Sequence, residues 1–363
     1  MSLSIKPARS SGVPRYVAGA STLPGFANPI KLSSNESPLG ASPSAARAFR
    51  DYDATLHRYP DGDGLSFRQA VEQQFGIPTD CTIIGSGSES LLDLIVRAYA
   101  ATGDEVLFPR FSFPLYSILA YSAGAAPVEA PAANFSTDID ALLAHVTGRT
   151  KIVIVANPNN PTGTWVDRDA FARLRRELPA RALLVIDSAY AEYLTDPAYT
   201  AGHEFVRAGA RNVIVTRTMS KAYGLAGLRV GWAHAHAEII HVLRGLQMPF
   251  PVAAPAVAAA AAALADHDHL QRVVEHNTEQ STWFRNELTA AGFQLLAPAG
   301  GNFVLTIVPA NRGGAPAADA ALRERGIIAR LSSVPNGLRI SIGTRAELEL
   351  ALSALRGLPH SHP

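Results

Sequence analysis

The chain has 363 residues, 47% of them hydrophobic and 17% charged, which excludes a disordered or fibrous polymer and leaves room for a large domain plus a smaller one. Lysine plus arginine number 32 against 31 for aspartate plus glutamate, so a net charge of +1 excludes the basic footprint of a nucleic-acid or anionic-membrane binder. A single cysteine, Cys81, excludes internal disulfides and a four-thiolate zinc site, and fits a reducing, cytoplasmic setting.

Residues 1–30 carry Gly, Pro and Ser at short intervals without sustained periodicity, and show no apolar run followed by a cleavage site. A loop-rich arm on the body is expected, and no secretory role. From 31 to 250, short β-branched runs alternate with helical patterns: CTIIG (81–85) then ESLLDLIVRAYA (89–100), DEVLF (104–108) then PLYSILAYSAG (114–124), KIVIVAN (151–157) then RDAFARLRREL (168–178), ALLVID (182–187), and NVIVT (212–216). This rhythm predicts an α/β large domain: a mostly parallel sheet sandwiched by helices, with ligands beyond the carboxyl ends of the strands. Val252 to Ala265 is Ala-rich and too short for a membrane span, which predicts a buried helix. Residues 251–363 run helix, helix, strand (GNFVLTIV, 301–308), helix, short strand (GIIARL, 326–331), strand (GLRISIG, 337–343), helix, which suits a smaller α+β C-terminal domain.

Two histidine-rich runs, HAHAEIIH (234–241) and DHDH (266–269), lack the cysteine or carboxylate frame of a metal site and read as solvated helix faces; no metal is expected. The terminal PHSHP reads as a frayed tail.

Each major strand of the large domain is followed by polar or glycine-rich residues: GSGSES (85–90), NPNNPTG (157–163), DSAYAEY (187–193) and TRTMSKAYGLAGLRVG (216–231). They should converge on one crevice. The first reads as a cup in which backbone N–H groups and a helix N-terminus face an anion, with Thr218, Ser220 and Arg229 adding hydroxyls and charge. Asp187 ends an apolar strand, as a helix N-cap or as a carboxylate awaiting a cation. Only four basic residues are lysines: Lys6, Lys31, Lys151 and Lys221. Where arginine serves for charge, a retained lysine marks a need for an amine, and Lys221 lies just past NVIVT in a serine- and glycine-rich setting. An acid, an amine and an anion cup at neighbouring strand ends match the needs of pyridoxal 5'-phosphate: an imine-forming lysine, a carboxylate for the pyridine nitrogen, and a phosphate anchor.

SKAYGLAGLRVG resembles the lysine motif of the class I/II aminotransferases of fold type I, and the resemblance covers nearly the whole chain. It is most similar to the histidinol-phosphate aminotransferase family. SSNESPLG resembles the N-E-N-P-x-G of that family, HRYPDG its R-Y-P, NPNNPTG its N-P-T-G, DSAYAEY its D-E-A-Y, and NGLRISIG its L-R-I-S-x-G. The resemblance implies that Lys221 forms the Schiff base and moves the substrate proton, that Asp187 pairs with the pyridinium nitrogen, and that Asn160 and Tyr190 bond the phenolate oxygen. It implies that Phe113 stacks on the ring and that Ser88 and Glu89, through their N–H groups, bind the phosphate with Thr218, Ser220 and Arg229. Tyr59 would reach that phosphate from the other subunit, so a homodimer is implied. Arg339, helped by Arg330 and Tyr16, would grip the phosphate of histidinol phosphate and the carboxylate of glutamate or 2-oxoglutarate.

The chain departs from the family at Ser37 in place of the second asparagine, at Ser88-Glu89-Ser90 after the glycines, and at AGGNF (299–303) in place of S-x-A-N-F. Arg110 adds a charge without a named partner. These departures leave open an aromatic amino-acid aminotransferase or a threonine-phosphate decarboxylase on the same scaffold. A pyridoxal-fold binding protein without turnover is the remaining contrast.

Overall fold

A computed structural model describes residues 13–52, 55–296 and 300–359. Lys6, Ala299, the first 12 residues of the expected arm and His360 to Pro363 lie outside them. In chain order the strands are β1 (Ile30–Lys31), β2 (Thr82–Gly85), β3 (Glu105–Pro109), β4 (Ala126–Ala130), β5 (Ala132–Ala133), β6 (Ser136–Thr137), β7 (Thr150–Ala156) and β8 (Leu183–Asp187). They continue with β9 (Val213–Thr218), β10 (Gly231–Ala235), β11 (Gln294–Leu295), β12 (Phe303–Ile307), β13 (Ile327–Ile328), β14 (Arg330–Leu331) and β15 (Gly337–Ser341).

Seven strands form the main sheet in the order β2-β10-β9-β8-β7-β3-β4. β9, β8, β7, β3 and β4 pair in parallel, and β10 runs antiparallel between β2 and β9. The central strands read as continuous apolar runs because both faces are covered: LLVID of β8 is buried at every position. One apolar core lies where helices Ser88–Tyr99, Leu115–Ala123 and Ala237–Leu246 meet the sheet, and another packs Phe171, Leu174 and Phe205 against Val153, Val155 and Val215. The α/β architecture expected from the β-branched runs is therefore present.

A second, four-stranded antiparallel sheet, β11-β12-β15-β14, packs with helices Gly314–Glu324 and Arg345–Arg356 around Leu338, Ile340, Leu322 and Leu352. Leu32 also lies in that core and its carbonyl accepts from Ser341 N of β15, while β1 and β13 form a separate two-stranded parallel sheet, so the segment entering the large sheet is anchored first to the C-terminal part of the chain. Helix Ala254–Ala265, just beyond the expected boundary at 250, packs Ala259, Ala260 and Ala263 with Phe67, Ile84 and Trp232 under the large sheet. Its alanines let neighbouring helices approach closely, which is why so apolar a stretch is buried.

The histidine-rich runs are not solvated helix faces throughout. His234 lies in β10, a strand absent from the expected set, and is buried with all five of its residues because β10 is inserted between two strands. His269 is buried too, its Nε2 3.3 Å from the carbonyl of Gly40. Among the described residues no group of three His, Cys, Asp or Glu side chains is placed to hold a metal, and no helix is long and apolar enough to cross a membrane.

Candidate active site

The carboxyl ends of β2, β9, β8 and β7 and the start of β10 open onto a cavity of about 510 Å³. Thirteen of the expected residues line it: Tyr16, Ser88, Glu89, Phe113, Asn160, Asp187, Tyr190, Thr218, Ser220, Lys221, Arg229, Arg330 and Arg339. Tyr59 does not. It is 83% exposed and stacks on Phe250 with ring centroids 4.6 Å apart.

At the mouth of β2 the helix Ser88–Tyr99 begins after Gly87 with no side chain capping its first N–H groups. Those groups and the helix dipole form a partial positive charge at the cavity wall. Backbones crowd here: a Cβ on Gly231 would fall 2.3 Å from Ser88 N, and one on Gly87 would fall 2.5 Å from an Arg229 nitrogen. Thr218 Oγ1 and Ser220 Oγ lie 3.0 Å apart, and Arg229 Nη1 donates to Ser220 Oγ at 3.3 Å. Arg229 adopts a left-handed backbone, φ 54°, and its Nη2 also lies 3.3 Å from Glu89 Oε2. The donor set suits a phosphate: N–H groups, two hydroxyls and a guanidinium fork.

Asp187 closes β8, and its carboxylate is held by neutral donors, Tyr116 Oη at 2.8 Å and Thr216 Oγ1 at 3.0 Å. Burial pushes its pKa up, while these two hydrogen bonds oppose the shift. A buried carboxylate held by hydroxyls, with no ion-pair partner among the described residues, suits a protonated ring nitrogen. Lys221 Nζ donates to the carbonyl of Ser34 at 3.1 Å and lies 5.8 Å from the Tyr190 ring centroid. Burial, then the charge of Arg339, bring its pKa down to about 8, so a substantial fraction of the amine is neutral near physiological pH. The cavity thus fits pyridoxal phosphate by its donor chemistry.

Tyr190 is buried, with its ring edge-to-face on Phe303 at 5.2 Å. Burial raises its phenol to about 12 against the opposing pull of Arg339. Arg339 projects from β15, donating Nη1 to Asn160 Oδ1 at 2.5 Å and Nη2 to the Ser33 carbonyl at 2.6 Å; its buried Nε has no partner among the described residues. Because a guanidinium only donates, Asn160 Oδ1 must be the acceptor, which leaves the Asn160 amide N–H groups to donate elsewhere. Arg330 donates to the carbonyl of Val17, next to Tyr16, and the Tyr16 ring meets Phe113 edge-on at 5.8 Å. Arg110 lies over Phe111 at 5.1 Å, which supplies the partner missing from its sequence context.

Sequence reasoning passed over several residues that hold this site. Tyr116 was only part of a helical run, and Thr216 only the end of an apolar strand. Ser33, Ser34 and Asn35 lie in SSNESPLG, where the sequence alone gives them no roles. Their signal was present as polar groups inside SSNESPLG, SFPLY and NVIVT, but their partners lie far away in sequence.

Residues 27–355 match the family "Aminotransferase class I and II". The chain is 44% identical over 345 residues, 94% of each sequence, to a histidinol-phosphate aminotransferase of Paramagnetospirillum magneticum, and 43% identical with the same coverage to one of Rhodospirillum centenum. Its structure matches histidinol-phosphate aminotransferase of Sinorhizobium meliloti, solved in complex with pyridoxal-5'-phosphate, with a TM-score of 0.85 and 30% identity over 91% of this chain and 90% of that one. Aspartate aminotransferase of Thermus thermophilus with maleate shares the fold at a TM-score of 0.80 and 22% identity, over 91% of this chain and 92% of that one. By this kinship over nearly its whole length the chain belongs to the class I and II aminotransferases, and it is a pyridoxal-phosphate-dependent transaminase.

Proposed function

We propose that the chain moves an amino group between histidinol phosphate and 2-oxoglutarate, giving imidazole acetol phosphate and glutamate, and does so as a cytoplasmic homodimer. One observation carries the substrate: the cavity is lined by two clusters of donors suited to anions. Ser88, Thr218, Ser220 and Arg229 form one; Arg339, Arg330 and Tyr16 form the other. The first is taken by the phosphate of the cofactor, so the second serves a substrate that brings an anion of its own. The unpaired Nε of Arg339 points to an unused donor for that anion. The names of the curated relatives support the same substrate.

Bound in the cavity, pyridoxal phosphate supplies a carbonyl that carries the amino group and a protonated ring that withdraws electrons. Asp187 would keep the ring nitrogen protonated, and Phe113 would stack on the ring. Asn160, turned by Arg339, would donate an amide N–H to the phenolic oxygen, and Tyr190 would donate its hydroxyl there. Lys221 Nζ would take the proton from the substrate carbon bearing nitrogen and hand it back within the exchange; burial, by lowering its pKa to about 8, keeps a neutral amine available for that task. Arg339 grips the phosphate of one substrate and the carboxylate of the other in turn, so both pass through one site.

Support for the dimer comes from Tyr59 and Phe250, an exposed stacked pair outside this chain's own cavity, with Leu56 and Met248 also exposed. Tyr59 of the partner subunit then completes the phosphate cup. The half-reaction tests the substrate. Loaded protein is mixed separately with histidinol phosphate, phenylalanine and threonine phosphate while its visible absorption is followed. Rapid loss with histidinol phosphate, reversed by 2-oxoglutarate, is expected. Faster loss with phenylalanine, or release of carbon dioxide from threonine phosphate, replaces the substrate and leaves the scaffold intact.

A further inference from the structure

Three consecutive residues each hold one residue of the site. The Ser33 carbonyl accepts from Arg339 Nη2 at 2.6 Å, the Ser34 carbonyl from Lys221 Nζ at 3.1 Å, and Asn35 Nδ2 donates to Tyr190 Oη at 2.9 Å. Asn35 is 1% exposed and left-handed, φ 55°, a conformation asparagine tolerates better than most residues. Its other polar groups are tied to the small sheet. The main-chain N–H donates to Ser341 Oγ at 2.8 Å, Ser341 Oγ donates to Asn35 Oδ1 at 3.0 Å, and Asn302 Nδ2 donates to the Asn35 carbonyl at 2.9 Å.

These bonds share one polarity. Ser341 Oγ accepts from the Asn35 main-chain N–H and gives its own proton to Asn35 Oδ1. With Oδ1 held by that hydroxyl, Nδ2 is turned towards Tyr190. An amide N–H also only donates, so Tyr190 Oη accepts there and its own proton is free to leave in another direction. Burial favours this neutral, proton-bearing phenol. Ser341 stands two residues from Arg339 on β15, and Arg339 fixes the polarity of Asn160 in the same manner. One strand thus aligns both donors of the cavity.

We propose that Asn35, pinned by Ser341, is a positioning residue that sets the donor direction of the Tyr190 hydroxyl, keeping its proton for the oxygen of the bound cofactor and away from protein acceptors. This rests on the reading of Tyr190 given above. Without the amide the hydroxyl rotates, and it spends part of its time donating to protein or water.

The test is a double-mutant cycle read on pyridoxal-phosphate-loaded protein without substrate, as the pH midpoint of its visible absorption and as cofactor dissociation. Asn35→Gly removes the amide at a backbone conformation glycine accepts. It is compared in the native and Tyr190→Phe backgrounds. We expect Asn35→Gly to move the midpoint by about half to one pH unit in the direction Tyr190→Phe moves it, the size of one net hydrogen bond, and to move it no further once Tyr190 is phenylalanine. Ser341→Ala, which keeps the amide but frees its polarity, should give a smaller shift with the same coupling, and it carries the test if the glycine variant does not fold. Equal shifts in both backgrounds, or none in the native one, overturn the proposal. If Tyr190→Phe itself moves neither readout, the role of Tyr190 falls with it, while the substrate is judged separately by the half-reaction.

Discussion

The hydroxyl of Tyr116 donates to Asp187 Oδ2 at 2.8 Å, across 71 residues of sequence, and is buried with it. Tyr116 comes from the helix Leu115–Ala123 and Asp187 from the end of β8, so the bond exists only because that helix lies over the carboxyl edge of the sheet. It opposes the upward push of burial on the carboxyl pKa, and so helps keep Asp187 ionised.

Tyr116→Phe should therefore raise the Asp187 pKa further. The folded-state value already lies above the ordinary one, so ionised Asp187 is lost as pH falls, and its loss begins at higher pH in the variant. The acidic limb of kcat/KM should move to higher pH, by up to about one unit for one hydrogen bond. A pH–rate profile of the loaded enzyme checks it; an unmoved limb would mean that Asp187 does not control that limb.

Arg339→Lys keeps the charge and loses the fork. Lysine cannot hold Asn160, Ser33 and a substrate anion together, so kcat/KM should fall about 100-fold for both amino donor and oxoacid, on the order of 3 kcal/mol. Separate half-reactions measure the two losses. A loss confined to one substrate refutes a shared anion site.

Lys221 should capture pyridoxal phosphate in a pH-dependent manner. Its folded-state pKa is about 8, below the ordinary 10.5, so the reactive neutral amine accumulates as pH rises through about 8. Borohydride-trappable attachment to unloaded protein should accelerate across that window. Lys221→Ala should bind the cofactor without trapping and lose at least about 1000-fold in turnover, and retained turnover would remove Lys221 from the chemistry.

A buried network behind the cup should make the fold acid-sensitive. Arg217 pairs with Glu192 at 2.5 Å, and its Nη1 donates to His203 Nε2 at 3.0 Å. His203 must then carry its proton on Nδ1 and give it to His234 Nδ1, 3.0 Å away. Burial pulls His203 well below 6.5 and His234 to about 4. The unfolded chain binds more protons than the folded one between about 4 and 6.5, so stability is full above that window and falls as pH drops through it. The slope is up to about 1.4 kcal/mol per pH unit for each histidine. Urea midpoints at a series of pH values measure it, and His234→Asn should flatten the curve.

Much of the site was legible because its chemistry is local. Asp187 at the end of LLVID, Lys221 beyond the next strand and the glycines before Ser88 each announce a strand end followed by a polar turn, and the fold brings such ends together. β10 was not legible, since GWAHA has neither a β-branched run nor strand alternation; its burial comes from insertion between β2 and β9, whose Gly85 and Thr218, 133 residues apart in sequence, both pair with Gly231. His234 was misread for the same reason.

The sequence by itself determined the α/β rhythm, the apolar strands and the types of residue at their ends, because periodicity and turn chemistry act over a few neighbours. Tertiary structure alone decided which atoms donate and which accept. Asn35 meets Tyr190 across 155 residues and Ser341 across 306, and Arg339 meets Asn160 across 179. Hydrogen-bond polarity at such contacts depends on which partners the packing brings within 3 Å, and no local pattern of side chains records that.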